Sequence, residues 1–486
     1  MAFTTPGYFL FLTVCFALYW LAKRRDAQNL LLVATSYIFY ALWDSRFGLL
    51  LLFTSLVDYC VGLGLARARS QKLRGILLTL SLSSGLGVLA IFKYFDFFAE
   101  NLRLSAQLIG WRLDPMLLHL ILPVGISFYT FKSLSYTIDV YRRQIKPTTN
   151  LLAYLAFVAF FPQLLAGPID KASNLLKQLL EERRFNYPMA VLGCRQILWG
   201  LFKKMVLADN LAPIVNLAYA QAAARPGPHL LFATICFAFQ IYCDFSAYSD
   251  IAIGTGRLLG LESIPNFAHP YFSRSPAEFW RRWHISLMSW FRDYLFFPLG
   301  GLRASGLRRA FNVMLTFIVS GLWHGDSWNF VLWGGINGAA LLPVALRRRK
   351  TGEHTRQMKG FRSWLRNSSS ILLTFLFICL TWVFFRAPDL PTAFLILRKI
   401  FTEAFNLSAY YSIRELLHPY AEYQLAGKKI VLFLAGFVII DGVQYYSRVN
   451  LDAWPRAIRW LAYYGVIFLI LYFGTSVISQ FYYFQF

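Results

Sequence analysis

Charged residues are scarce in this sequence, and their scarcity excludes an ordinary water-soluble domain. They make up 15% of the 486 residues, against 57% for hydrophobic residues, whereas soluble domains carry about 25% charged residues. A bilayer span takes roughly 20 mostly apolar residues, and long apolar runs recur at 6–22, 28–43, 47–66, 74–92, 115–135, 190–208, 229–247, 370–386, 428–446 and 459–478. Shorter runs lie at 151–169, 310–322 and 327–346. We predict an all-α, polytopic membrane protein with about 11–13 membrane helices, re-entrant segments included, in one domain over 1–486.

Acidic residues are also few, because 24 Asp and Glu stand against 48 Lys and Arg, which gives a net charge of +24. In a soluble protein this excess would suggest a nucleic-acid partner. Here the basic residues lie in short loops between apolar runs, as they do in cytoplasmic loops, where they also attract anionic lipids. The loops predict extracytoplasmic chain ends, membrane lipids as neighbours and no nucleic acid.

The six cysteines lack CxxC spacing and all fall in apolar runs. Neither a disulfide framework nor a zinc site is therefore indicated, and we expect small buried hydrophobic side chains. A Walker loop, a nucleophile elbow and an HExxH helix are absent as well. These absences predict no metal and no tightly bound cofactor.

Two apolar segments cannot cross the membrane once, because basic residues flank both of their ends. Residues 308–309 precede the segment 310–346 and residues 347–350 follow it, which predicts a hairpin turning near 323–326. A first arm of about 13 residues rises roughly 20 Å, less than the bilayer core of about 30 Å, so we expect His324 inside the membrane. The segment 151–169 is predicted to be re-entrant, with a break at 166–168, and 170–185 to be an amphipathic helix.

Ionisable side chains at membrane depth are functional candidates, and two histidines lie in such places. Beside His324, Trp323 is a candidate pocket wall. The alternative for His324 is a structural histidine hydrogen-bonded at a helix end. His284 lies in 278–294, which as one helix would carry an aromatic face and a basic face: Trp280, Trp283, Leu287, Trp290 and Tyr294 on one, Arg281, His284, Met288 and Arg292 on the other.

Two interpretations of the segment 278–294 stay open. An interfacial helix with an aromatic belt and snorkelling arginines is one, and a cationic cytoplasmic mouth that attracts a phosphorylated substrate is the other. A third feature, the polar stretch 242–250, places Asp244 after an apolar span. Asp244 is expected to pair structurally, with an arginine of 281–292 or with a histidine.

Several motifs together resemble the signature of the membrane-bound O-acyltransferase (MBOAT) family. They are 278–287 (EFWRRWHISL), 290–294 (WFRDY), 298–301 (PLGG), 321–325 (GLWHG), 122–129 (LPVGISFY), 161–168 (FPQLLAGP) and 244–250 (DFSAYSD). The branch is that of the alginate, peptidoglycan and cellulose O-acetylation and teichoic-acid D-alanylation membrane proteins. The ending 481–486 (FYYFQF) is similar to that of the alginate type. Leu302, Asp170 and Ala247 depart from the family pattern, which often has Asn, Arg and Gly there.

The resemblance implies a ring of helices around a central funnel, with a family core over about 1–345 and C-terminal helices over 346–486. It implies His324 as the essential histidine, His284 as the second one and Tyr483 as a transient acyl carrier. The alternative for Tyr483 is an aromatic anchor at the membrane interface. The acyl donor would be cytoplasmic acetyl-CoA and the acceptor a polysaccharide such as alginate, cellulose or peptidoglycan. A periplasmic acetyltransferase, the polysaccharide synthesis machinery and a bacterial inner membrane are implied too. The expected substrate-binding residues are Trp280, Arg281, Arg282, Trp283, Arg292, Asp293, Trp323 and Asp244.

Three other classes of function remain open at this stage, and one of them is a scaffold that only recruits an exported transferase. A transporter of a lipid-linked sugar or an ion would also use broken membrane segments and buried acids. An acyltransferase of the same superfamily that acts on a lipid or a protein would share the histidine and differ in its acceptor.

Overall fold

The computed structural model describes residues 3–165, 167–346, 361–413, 428–447, 449, 451–475 and 481. Within these ranges the regular structure is helical, without a strand, which confirms the all-α prediction. Seven helical segments in the described ranges are long and apolar enough to cross a membrane: 46–67, 71–108, 227–258, 328–346, 362–386, 429–447 and 456–473. The chain is therefore a multi-pass membrane protein. The count of about 11–13 membrane helices, the funnel and the single domain stay predictions.

The chain divides into two compact units, of which the first comprises Met1–Ile197 and Ser249–Ile264. Its helices are α1 Pro6–Leu21, α2 Arg25–Ala41, α3 Arg46–Arg67, α4 Gln71–Leu89, α5 Phe95–Leu108, α6 Ile126–Tyr141, α7 Leu151–Ala159, α8 Phe161–Leu164, α9 Leu175–Leu180 and most of α10 Tyr187–Leu201. A π-helical turn, Ala90–Tyr94, joins α4 to α5. The apolar run 115–135 is helical only from Ile126 onward, and Gly125, directly before that helix, has a φ of 81°.

The segment 151–169 is broken, as predicted, but it has an additional break and a different continuation. One break falls at Phe160, between α7 and α8, and α8 ends at Leu164, so that residues 167 and 168 are not helical, in agreement with the predicted break at 166–168. The amphipathic helix predicted over 170–185 is wrong, because only Leu175–Leu180 is helical there. The buried carboxylate of Asp170 accepts hydrogen bonds from Gln163 at 2.6 Å and Asn174 at 3.0 Å, which holds this stretch in turns.

The second unit comprises Leu198–Tyr248 and Pro265–Gln485. Its helices are α11 Asp209–Ala220, most of α12 Gly227–Leu258, α13 Pro276–Arg282, α14 Ile285–Phe291, α15 Gly306–His324, α16 Trp328–Leu346, α17 Phe361–Arg386, α18 Leu390–Thr402, α19 Leu407–Tyr411, α20 Lys428–Ser447 and α21 Arg456–Phe473. Two π-helical segments, Phe202–Ala208 and Arg292–Phe296, precede α11 and follow α14. Four cysteines are buried as predicted, whereas Cys60 and Cys194 are exposed.

The helices α15 and α16 form the predicted hairpin, and three residues, 325–327, connect them. The first arm has 19 residues and is about 28 Å long, which corrects the shorter arm expected from the apolar run. A Cβ atom on Gly321 would lie 2.1 Å from the carbonyl oxygen of Phe330, and one on Gly334 would lie 2.3 Å from that of Phe317. The two backbones therefore approach each other as only glycine permits.

Replacing Gly334 with alanine is expected to lower the thermal midpoint of the purified protein by several degrees. The new methyl group would collide with a backbone carbonyl, which cannot move aside without separating the two arms. The matched control is Gly335→Ala on the same helix, because no atom lies within 4 Å of a Cβ at Gly335. Fluorescence-monitored melting in detergent checks this, and equal midpoints for the two variants would contradict the tight hairpin.

Candidate active site

His324 is the last residue of α15 and lies where the hairpin turns. Its side chain is buried among aromatic rings. The centroid of its ring is 4.9 Å from that of Trp323, 5.1 Å from that of Trp333 and 5.3 Å from that of Phe385. Helices α15, α16 and α17 each contribute one of these neighbours, so three elements fix the position of the imidazole.

His284 lies in the junction between α13 and α14, where its φ is 46°. The residues around it keep this left-handed conformation, which is uncommon for a side chain other than glycine and concentrates at functional sites. The backbone N–H of Ile285 donates to the carbonyl oxygen of Asn266 at 2.9 Å, and the hydroxyl of Ser286 donates to its side-chain oxygen at 2.7 Å. Asn266 thus holds the start of α14 in place.

The single helix predicted over 278–294 is therefore wrong. The left-handed residue ends α13 and starts α14 in a new direction, so the two expected faces do not form. Arg281 is exposed, whereas His284 is buried. The structure does not place His284 in a basic surface stripe; it brings it to His324, with the two ring centroids 6.5 Å apart.

The tryptophans of this segment are buried, which contradicts an aromatic belt facing lipid. The indole N–H of Trp280 donates to the side-chain oxygen of Asn337 at 3.3 Å. The Trp283 ring lies 5.1 Å from that of Trp382, and the ring of Trp323 lies 5.8 Å from that of His284. Together these indoles form an aromatic wall around the two histidines, which excludes water from them.

The predicted arginines lie outside this wall, and acidic neighbours balance two of them. Arg282 pairs with Glu278 at 2.7 Å, one turn before it on α13. Arg292 pairs with Asp293, the next residue, at 2.8 Å, and both of these side chains are at least partly exposed. Arg281 is exposed as well. The structure thus places the cationic residues near the surface of this unit, apart from the histidine pair.

Asp244 has a partner that the sequence analysis did not name. Its carboxylate accepts a hydrogen bond from the ammonium group of Lys204 at 2.6 Å, and Asp209 pairs with the same group at 2.8 Å. Next to Lys204, the ammonium group of Lys203 donates to the hydroxyl of Ser246 at 2.7 Å. The signal for this cluster was present, since two lysines interrupt the apolar run 190–208, and charges at membrane depth are functional candidates.

The two imidazoles differ in the chemistry open to them. His284 lies outside the seven candidate spans, and its burial lowers its pKa from 6.5 to about 3. A neutral ring of this kind orients a group and accepts its hydrogen bond, but it holds a proton poorly. His324 lies beside this ring at the turn of the hairpin, with the two ring centroids 6.5 Å apart. Among the described residues, no three His, Cys, Asp or Glu side chains assemble as a metal site.

Acid is expected to destabilise the protein through His284. The folded ring titrates near pH 3 and the unfolded one near 6.5, so the unfolded state binds more protons between these values and stability falls as the pH drops through this range. His324 is a neighbouring titratable ring. The His284→Gln variant retains His324, so any contribution of His324 to the acid dependence is present in both proteins. We expect the melting midpoint of His284→Gln to fall less between pH 7 and 5 than that of wild type, measured in detergent.

The exposed His119 supplies a matched control for this measurement, because its side chain is 79% accessible. His119→Gln should keep the acid dependence of the wild-type melting midpoint. The same slope in His284→Gln as in wild type would show that His284 does not carry the effect.

Comparison with known proteins identifies the family. The model of the membrane-bound O-acyltransferase family matches residues 142–387, which include both histidines. The chain is 36% identical over 455 residues to the probable alginate O-acetylase of Azotobacter vinelandii, covering 92% of this chain and 86% of that protein. It is 34% identical over 429 residues to the peptidoglycan O-acetyltransferase of Helicobacter pylori, covering 82% of this chain and 79% of that protein.

A more distant relative is the teichoic acid D-alanyltransferase of Streptococcus thermophilus. It is 30% identical over 282 residues, which cover 54% of this chain and 68% of that protein. The family match spans both members of the histidine pair, and the relatives named above are acyl-transferring proteins by their names. This multi-pass membrane protein belongs to the membrane-bound O-acyltransferase family and is an O-acyltransferase.

Proposed function

We propose that this protein takes an acetyl group from cytoplasmic acetyl-CoA and passes it across the membrane for the O-acetylation of an exopolysaccharide or a cell-wall glycan. The buried pair of His324 and His284 carries the proposal, since one group can move the proton while the other orients the reacting atoms. The names of two relatives, an alginate O-acetylase and a peptidoglycan O-acetyltransferase, support this class of acceptor. The compartment would be the inner membrane of a bacterium.

The reaction begins when His324 removes the proton from the acceptor hydroxyl. A histidine has an ordinary pKa near 6.5, which suits a general base at neutral pH. The hydroxyl oxygen attacks the thioester carbonyl, the bond between carbon and sulfur breaks, and the thiolate of CoA leaves. The proton on His324 passes to that thiolate, so the imidazole returns to its starting state. The aromatic wall keeps water, the competing nucleophile, away from the thioester.

Arg281 and Arg292 would attract the phosphates of CoA from the cytoplasm. Both are exposed, and an arginine binds phosphate with several hydrogen bonds at once. Arg282 would contribute through its ion pair with Glu278. Asp293 would contribute through its ion pair with Arg292, one of the two phosphate-binding arginines. Acetyl-CoA acts as a substrate, and free CoA is released after each turnover.

The acceptor for this first transfer would be Tyr483, which lies outside the described residues. A phenol has a pKa near 10, so its ester is activated enough to hand the acetyl group on. A periplasmic acetyltransferase working with the polysaccharide synthesis machinery would receive the group and place it on the glycan. In this scheme the membrane protein supplies an activated ester on the outer side, and the partner chooses the sugar hydroxyl.

Replacing His324 with glutamine should lower acetyl transfer from radiolabelled acetyl-CoA at least about 100-fold, because a general base contributes roughly 10²–10⁴-fold. The control is His229→Gln, since His229 is also buried in the second unit but bonds to Ser412 and to the carbonyl oxygen of Ala409. Transfer is measured with purified protein in nanodiscs, and both variants must elute as wild type does in gel filtration.

A His324→Gln variant as active as the His229→Gln control would remove His324 from the reaction. If label is recovered on lipid or on another protein, and none on glycan when the periplasmic fraction is added, the acceptor is a lipid or a protein and not a glycan. Loss of transfer in His324→Gln alone, with label on glycan in wild type, is the result that the proposal expects.

Replacing Tyr483 with phenylalanine should abolish acetylation of that residue and transfer to glycan, because the ring stays and the phenolic oxygen is lost. Its neighbour provides the control, since Tyr482→Phe makes the same change one position earlier. Peptide mass spectrometry after incubation with acetyl-CoA detects the added acetyl mass. Full glycan acetylation by Tyr483→Phe would exclude Tyr483 as the carrier.

A further inference from the structure

Lys204 is a buried cation in the second unit, and the proposed reaction gives it no role. Its side chain is 2% exposed, and two carboxylates, Asp209 and Asp244, lie 2.8 Å and 2.6 Å from its ammonium group. A charge in such a setting is retained only if it is paired closely. The ammonium group also has a neighbour that is not a carboxylate.

That further neighbour is an aromatic ring from the C-terminal segment. The ammonium group of Lys204 lies 4.4 Å from the centroid of the Phe481 ring, within the range of a cation–π interaction. The same ring meets Tyr248 edge-on, with centroids 4.7 Å apart and planes at 86°. Phe481 is buried by these contacts. We call Lys204, Asp209, Asp244 and Tyr248 the tail socket.

The chain that leads to Phe481 contacts the same region at two further points. The side-chain amide of Asn210 donates to the carbonyl oxygen of Phe473 at 3.1 Å, where α21 ends. The backbone N–H of Thr475 donates to the carbonyl oxygen of Met205 at 3.3 Å. Met205 directly follows Lys204 in sequence, and Asn210 lies six residues after it. The end of α21 and Thr475 are thus held against residues 205–210, next to Lys204 in sequence.

The tail socket adjoins the histidine pair through α12. Between Asp244 and Tyr248, both of which belong to the socket, Phe245 packs its ring 4.7 Å from that of His284. Four helical residues rise about 6 Å, so a single turn of α12 contacts the second histidine through Phe245 and the C-terminal ring through Tyr248. A segment docked in the socket is therefore held beside the site of acyl transfer.

We propose that the tail socket binds the aromatic C-terminal segment and that Lys204 and Phe481 are positioning residues for the carrier tyrosine, an inference that rests on the proposed role of Tyr483. Because two peptide units span at most about 7 Å, covalent geometry alone limits the distance between the Cα atoms of residues 481 and 483 to that length. Neither positioning residue touches the acyl group. The cation holds the ring, and the ring fixes how far the phenolic oxygen can move from the histidines.

The decisive experiment changes the ring and leaves the ion cluster intact, because Lys204→Met would strand two carboxylates and disturb folding. Full-length protein in nanodiscs is given radiolabelled acetyl-CoA, and acetylation of Tyr483 is followed by peptide mass spectrometry. Phe481→Leu keeps an apolar side chain but has no π-face for the cation, so the initial rate should fall at least about tenfold. Phe481→Trp has a larger π-face and should retain most of the wild-type rate.

The matched control is Phe468→Leu, which makes the same substitution at an exposed position of α21 and should acetylate Tyr483 at the wild-type rate. Hydrogen–deuterium exchange of the peptide 474–486 supplies a readout independent of acylation. It should be slow in wild type, Phe481→Trp and Phe468→Leu, and fast in Phe481→Leu.

The outcomes separate this inference from the proposed function. Wild-type exchange and wild-type labelling in Phe481→Leu would overturn the tail socket while leaving the carrier role of Tyr483 standing. Faster exchange in Phe481→Leu, with no acetyl mass on Tyr483 in any protein, would support the socket and refute the carrier. Faster exchange with undiminished labelling would show that the ring docks the segment without positioning the tyrosine, which also overturns the inference.

Discussion

The close approach of α15 and α16 is the contact on which the rest of the site depends. Glycines at the crossing let each backbone come against a carbonyl of the other arm, and only this spacing puts the ring of Trp333 against that of His324. Trp333 in turn stacks on Trp382 of α17, which continues the aromatic wall to Trp283 beside His284. A wider hairpin would open this wall to water and separate the two imidazoles.

Charge and apolar length alone predicted this hairpin, because basic residues on both sides of 310–346 require the chain to return to the face it left. The turn falls at His324 as expected, although α15 begins at Gly306, before the apolar run 310–322. The helix predicted over 278–294 failed for a local reason. Periodicity assumes one continuous helix, whereas the left-handed backbone of His284, held through Asn266, divides it.

The sequence alone also did not predict the ion pairs between residues that lie far apart in the chain. The lysines in the run 190–208 indicate buried charges that need counter-ions. Nothing near Lys204 in the sequence points to Asp244, which lies 40 residues after it. Arg282 and Arg292 show the converse, since their acidic partners lie four residues and one residue away. The pair of Glu278 and Arg282 can be anticipated from its i,i+4 spacing on one helix, whereas a pair between helices depends on how the helices pack.

The wide turn at Phe202–Ala208 has a consequence for how the chain tolerates changes in length. Its i to i+5 pattern accommodates one residue more than an α-helix would, and that extra residue lets two adjacent lysines reach the same stretch of α12. Deleting one residue there would convert the wide turn into a regular α-helical turn and leave α11 in nearly its present orientation. The lysines would lose their reach to α12, so a shortened chain is expected to disturb the buried charges before it disturbs the packing of α11.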